Sequence, residues 1–419
     1  MREAHSIASC GLRGDWRGLS ATGVTKMTVP DGGLAPPLQQ SSISPPAVEL
    51  VPLREALAMG SEAWSALQAA SPTPNPFMSW AWHRSWADTA TPGEVESSRA
   101  FVLRSSAGQV TGLFPLRPHR TRFRRVPVRT LGWAIGDLGC PDHLDLLASH
   151  HADIEALVPR LDRLSWDAIL LDNVAEHAPN LDRLCVACER RGWSVHRLPT
   201  SRCPYLALPD SWTAYLSQLS SGRRRGLRRG ERVLRREHRV VVTDYGGERF
   251  EEGWRCLRDL HLKRWGDAGH LATPLMAQLH QRFASLLPPR GTVWLASLDL
   301  DGRPAAAWYG FAVGDTVYYY QSGWDPRCGR RSVGSALTAM MIRRAIEQGY
   351  RVFDFLRGEE RYKQTWTGLA RTCYRLVILR SGWRGAALRW LDRLARLRST
   401  LLRTLSWLAW VGYALMDAA

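Results

Sequence analysis

Gly323-Trp-Asp-Pro-Arg-Cys-Gly-Arg-Arg331-Ser-Val-Gly334-Ser-Ala336 is the stretch on which the reading of the fold turns. Before it, Thr292 to Leu300, Arg303 to Val313 and Asp315 to Ser322 read as three successive strands, separated only by the turn pairs Asp301-Gly302 and Gly314-Asp315. After it, an amphipathic helix runs to Gln348-Gly349, and one further strand follows, Arg351-Val-Phe-Asp354-Phe-Leu356. A strand feeding a glycine-bearing loop at a helix N-terminus makes an anion site, because unpaired backbone N–H groups and the positive end of the helix dipole converge there. Gly334 leaves the backbone uncovered and Arg330 and Arg331 add charge at the rim, so phosphate is the expected anion.

The spacing Arg331-x-x-Gly334-x-Ala336 resembles the pyrophosphate loop of GNAT acyltransferases, Q/R-x-x-G-x-G/A, which holds coenzyme A. Further on, Asp354-x-x-x-Gly358-Glu-Glu-Arg-Tyr362-Lys363-x-x-Trp366 resembles the segment after the fifth strand in the Fem-like branch of that superfamily, especially the CelD-like acetyltransferases associated with cellulose and exopolysaccharide synthesis. His261-Leu-Lys-Arg-Trp265 is similar to a helical signature of the same group, and the resemblance extends over Leu206 to Leu379. It implies a mixed α/β fold of two tandem GNAT-like domains, the N-terminal one degenerate. It also implies acetyl-CoA or another acyl-CoA as co-substrate, held at Arg330, Arg331, Ser332, Val333, Gly334, Ser335 and Ala336. The acceptor it implies is an amine or hydroxyl on a sugar or polysaccharide precursor. Two alternatives accompany it: a Fem-like aminoacyl transferase using charged tRNA, and a non-catalytic GNAT-fold scaffold of a polysaccharide synthase.

Acyl transfer from a thioester needs an acceptor freed of its proton, a stabilised oxyanion and a proton for the departing thiolate. Asp354 stands in a strand that is apolar on both faces, so its carboxylate is expected to be desolvated and is a candidate base. A structural role is the alternative, with Asp354 tied to Lys363 or to backbone amides of the following loop. Glu359 and Glu360 lie just past the strand end, where substrates of open α/β sheets bind, and Glu360 is the second candidate base. Tyr362 is placed to protonate the thiolate, as a tyrosine does in many GNAT enzymes, although here it sits after the fifth strand and not on a fourth helix. His261 follows as a reserve base, and His143 in Cys140-Pro-Asp-His-Leu-Asp145 could be catalytic but, as a lone loop histidine, reads as a surface or hydrogen-bonding residue and is left out of the site.

With 419 residues and 45% hydrophobic content the chain accommodates two domains with appendages. Its formal charge of +17 favours phosphate-bearing ligands, anionic lipid or nucleic acid without choosing among them. Eight cysteines are scattered, and the one close pair, Cys185-Val-Ala-Cys188, lies in an apparent helix with no second pair at metal-site spacing. That pair reads as buried thiols, the overall pattern fits a reducing cytosol, and no metal is expected.

The expected organisation is a disordered segment at 1–46, with no run apolar enough for a signal peptide and with Met27 as an alternative start. A degenerate GNAT-like domain at 47–204, an acyl-CoA-binding domain at 205–380 and a basic amphipathic helix at 381–419 follow. In the first domain Leu53 to Ala69 reads as a helix, and Trp80, Trp82 and Trp86 read as a core stripe on the next. Two αβ units run from Ile154 to Asp172 and from Leu181 to His196, and the boundary falls at Pro199 to Pro209. Beyond it, Arg223, Arg224, Arg225, Arg228, Arg229, Arg232, Arg235 and Arg236 form the basic face of a helix with Leu227, Val233 and Leu234 inside. That face suits solvent, an anionic substrate or coenzyme A phosphates, or RNA, the last kept open by the Fem-like resemblance although the interleaved aromatics of an RNA-binding surface are missing. The tail is too short in its apolar run to span a bilayer, so the expected location is cytoplasmic, with peripheral membrane contact through that last helix.

Overall fold

The computed structural model describes residues 47–382 apart from 124–125, 267–268 and 288–290. The expectations for 1–46, for Met27 and for the tail helix lie outside the described residues.

Among these, thirteen strands join one mixed sheet: β1 Ala47–Pro52, β2 Arg99–Arg104, β3 Val110–Phe123, β4 Val126–Trp133, β5 Leu147–Ala148, β6 Ala168–Val174, β7 Ser194–Ala207, β8 Val240–Asp244, β9 Val293–Leu300, β10 Arg303–Val313, β11 Thr316–Trp324, β12 Val352–Asp354 and β13 Ala370–Leu379. Their spatial order is β1-β2-β3-β4-β6-β13-β7-β12-β11-β10-β9-β8, with β5 on the side of β3. The order is the same read inward from either edge. Each half has an antiparallel run that ends in a short parallel pair, Thr130↔Ala168 and Leu131↔Ile169 in one, Thr316↔Val352 to Tyr318↔Asp354 in the other. At the centre the halves exchange their last strands: β13 lies against β6 and β7 lies against β12.

Local chemistry accounts for most of these elements. The β9–β10 hairpin turns through Asp301 at φ 52° and Gly302 at φ 78°, both left-handed, as the tightest right-twisted hairpins require. Burial of β10 from Ala305 to Ala312 on both faces matches its continuous apolar run, since helices cover each side. The Phe250–Trp265 helix has the expected bounds. The expected helix from Leu53 to Ala69 is instead two, Leu53–Ala58 and Gly60–Ala70, broken where Gly60 takes φ 86°. Trp82 and Trp86 are buried in the larger core, with Trp82 edge-on to Phe77 and Phe283. The stretch expected as a boundary, Pro199 to Pro209, is mostly strand: β7 runs through to Ala207 and pairs with both β13 and β12.

Candidate functional site

The parallel pairing of β11 with β12 stops at Tyr318↔Asp354, while β11 continues to Trp324. After Asp354 the chain parts from β11 while Phe355 N–H still donates to Pro204 O of β7 at 2.9 Å, and it then turns because Leu356 is left-handed at φ 56° and its N–H is taken by Asp354 Oδ1 at 2.8 Å. A gap therefore opens between β11 and the chain beyond Asp354.

On one face the gap is bordered by the start of the Val333–Glu347 helix. Ser332, at φ 51°, turns the chain from the Pro326–Arg331 turn into that helix, and Ala336 N–H closes its first bond onto Ser332 O. The N–H groups of Val333, Gly334 and Ser335 thus lie in the first turn, without helical acceptors. Arg330 and Arg331 belong to the preceding turn, and their side chains lie outside the description. Gly334 departs from expectation: a Cβ there would lie 3.3 Å from Trp324 Cδ1, so the indole, and not open space alone, lies against it. The Arg264 guanidinium stacks between Trp265 and Trp324, 4.3 and 5.3 Å from their ring centres. Tyr362 lies beside Tyr319, ring centres 6.5 Å apart, and Tyr319 donates to Ser322 Oγ at 2.6 Å. Burial pushes the Tyr362 hydroxyl well above 10, so it holds its proton at neutral pH. The arginine helix, Ser221–Glu237, packs beside the same turn, with Leu234 buried, Arg223 over the Trp366 ring, and Arg225, Arg228, Arg229 and Arg232 exposed.

The other face carries Asp354, because alternation along β12 sends Phe353 toward the helix and its neighbour away from it. Asp354 is fully buried. Its Oδ2 lies 3.2 Å from His143 Nε2 and 3.5 Å from an Arg371 nitrogen. His143 is held in a left-handed backbone at φ 56°, with its carbonyl accepting from Asn75 Nδ2 at 2.8 Å. Burial is the largest influence and works against the imidazolium, but the charge and hydrogen bond of Asp354, together with Cys373, outweigh it and raise His143 well above 6.5. On the far side of the ring, Nδ1 is 3.7 Å from Cys373 Sγ, which is 3.6 Å from Cys203 Sγ. Hydrogen bonding from Cys203, against burial and with help from His143, brings the Cys373 thiol down to about 6.

Next to this cluster, Arg357 pairs with buried Asp142 at 2.7 Å and caps Pro141 O. Lys363 does not reach Asp354. Its ammonium binds Glu360 at 3.0 Å and the Arg357 carbonyl at 2.6 Å, so the structural partners of Asp354 are His143, Arg371 and the Leu356 amide. Glu359 is exposed and faces Arg202 at 3.8 Å. His261 is buried with Nδ1 on Ser322 O at 3.0 Å and Nε2 receiving Leu271 N–H at 3.5 Å, which makes it a packing residue. The structure thus sets Tyr362 and the helix start on one face of the gap and Asp354 on the other. Reading the sequence residue by residue set His143 aside and missed Arg371, Cys203 and Cys373. The signal for the first was the density of polar residues in Cys140-Pro-Asp-His-Leu-Asp145, three of which, Asp142, His143 and Asp145, are buried.

Residues 221–364 match the family model described as an acetyltransferase (GNAT) domain, which covers the arginine helix, β8 to β12 and Tyr362. No curated protein matches the chain. Among solved structures, FemX is similar at 11% identity over 75% of this chain and 95% of its own, with a TM-score of 0.51. A conserved protein of unknown function from Bacteroides thetaiotaomicron VPI-5482 is similar at 12% identity over 77% and 98%, with a TM-score of 0.50. The C-terminal domain of a lysylphosphatidylglycerol synthetase from Agrobacterium fabrum covers 81% of this chain and 96% of its own at 12% identity and a TM-score of 0.47. At these identities the likeness to the first two is one of fold alone.

Proposed function

From a GNAT domain at residues 221–364, we propose that the protein moves an acyl group from acetyl-CoA or a longer acyl-CoA to an amine or hydroxyl acceptor. The observation that carries this reading is the gap between β11 and β12, opened beside a helix start within the matched residues. A thioester lying in that gap would extend its pyrophosphate toward the amides of Val333, Gly334 and Ser335, with charge support from the arginine helix. Tyr362, protonated and on the same face, donates to the departing thiolate. The acceptor side of this reading is the opposite face, where the 140–145 loop of the N-terminal half packs against Asp354 and Arg357. A saccharide acceptor of the cell-envelope type follows from the CelD-like resemblance alone.

Replacing Tyr362 with Phe tests the assignment. CoA release against a panel of amine- and hydroxyl-bearing saccharides should fall about a hundredfold in kcat with the donor Kd unchanged. An unchanged kcat removes Tyr362 from the chemistry. A second reading, an aminoacyl donor carried on tRNA, draws on the exposed arginines beside the Pro326–Arg331 turn. Tight tRNA binding that weakens steeply with salt, together with indifference to every acyl-CoA, would favour it over the first.

A further inference from the structure

Cys203, Cys373 and His143 come from three separate parts of the chain: β7, β13 and the loop after β4. Both thiols are free and fully buried, and the imidazole is buried beside them. One donor atom from each lies within 4.8 Å of the other two. The Sγ–Sγ separation is 3.6 Å and Cys373 Sγ lies 3.7 Å from His143 Nδ1. Around a tetrahedral zinc ion, with bonds of about 2.3 Å to sulfur and about 2.0 Å to nitrogen, ligand atoms stand roughly 3.5 to 3.8 Å apart. Those two separations fall within that range.

We infer that Cys203, Cys373 and the Nδ1 of His143 form a binding site for a thiophilic divalent cation of the zinc type. The carboxylate of Asp354, 3.2 Å from Nε2 on the opposite side of the ring, supplies what a metal-binding histidine ordinarily has: an acceptor that fixes its tautomer and orientation. The backbone is committed to the same arrangement. His143 holds a left-handed conformation that costs a non-glycine residue energy, and Asn75 anchors its carbonyl in that pose. Cys203 and Cys373 are brought onto one face of the sheet by the pairing of β7 with β13, in which Cys203 opposes Arg371 and Cys373 opposes Ser201. Three protein ligands leave one tetrahedral position for water or for an atom of an incoming molecule, the pattern of zinc sites that take part in chemistry. Use of that position by an acyl acceptor rests on the proposed function, whereas the site itself does not.

The test measures metal directly. The full chain, purified without chelator from zinc-supplemented cells, should carry about one zinc per chain by elemental analysis. Exchange with cobalt should give the thiolate-to-cobalt charge-transfer absorption that reports sulfur ligands. Cys203→Ser with Cys373→Ser should abolish both. Asp354→Asn, which keeps all three ligands, should weaken zinc affinity about 10- to 100-fold in a chelator competition. A folded wild-type protein that retains no stoichiometric zinc and gives no cobalt–thiolate band overturns the site, as does zinc that persists in the double serine variant. Because none of these readouts involves acyl transfer, a failure here leaves the donor assignment standing, and failure of donor binding leaves the metal site standing.

Discussion

In each half of the sheet a short parallel pair interrupts an antiparallel run, yet the chain fills the connection between the paired strands differently. Between β11 and β12 it builds the 15-residue helix Val333–Glu347, whose first turn opens beside the gap. Between β4 and β6 it builds only the 6-residue helix Leu157–Asp162 and spends the rest on β5 and a loop. That loop reaches across: His143 meets Asp354, Asp142 meets Arg357, and Gly139 O accepts from Tyr320. A repeated topology therefore carries two divisions of labour. One half builds a long helix beginning beside its strand end, and the other builds a shorter one and supplies side chains to its neighbour's strand end.

Close packing separates the halves in the same sense. Gly323 in β11 lies against the Phe250–Trp265 helix so closely that a Cβ would be 2.3 Å from His261 N and 2.5 Å from Leu260 C, both backbone atoms. Gly112 in β3 would meet only side chains, Ala148 Cβ at 3.1 Å and Leu103 Cδ1 at 3.2 Å. Chemical denaturation should show Gly323→Ala destabilised by about 4 kcal/mol or more, and Gly112→Ala by about 1 kcal/mol. Equal losses would mean that β11 and its helix separate as easily as the side chains around β3, and the contrast between the halves would go.

The N-terminal half also buries an imidazole, His83, that pairs with no carboxylate among the described residues. Burial lowers His83 from 6.5 to about 4, against a hydrogen bond to Ser79 O that favours the charged form. Between those values the unfolded chain binds a proton that the folded chain does not, so stability falls as pH drops from about 6.5 to about 4. The span amounts to about 3 kcal/mol at most. His83→Gln should flatten the pH dependence of unfolding in that window, and an unaltered slope would place the acid sensitivity elsewhere.

Much of the C-terminal half was legible because its signals are local. Turn pairs and apolar runs marked β9 to β11, and helical periodicity marked Phe250–Trp265, since both depend on neighbours in sequence. The order of β7, β12 and β13 was not legible, because strand exchange joins residues far apart in the chain, and Pro199 and Pro204 made a strand look like a linker. The same holds for the candidate site. Asp354 was marked by being a carboxylate in an apolar strand, and its burial follows. Its partner His143 was set aside as a lone loop residue, because nothing within the loop announces the carboxylate it meets. Gly334 shows the converse: the motif identifies the position, but only the fold reveals the Trp324 indole against it.

The central claim, that the start of the Val333–Glu347 helix holds the donor's phosphates, is tested most directly by thermal unfolding in the presence of CoA, acetyl-CoA and longer acyl-CoAs, on the wild type and on Gly334→Glu. A ligand at a hundred times its Kd should stabilise the wild type by about 2.7 kcal/mol. The variant, with a carboxylate among the first-turn amides and against Trp324, should unfold cooperatively and show no ligand-dependent shift. A wild type indifferent to every acyl-CoA, or a Gly334→Glu protein stabilised as much as the wild type, would contradict the account.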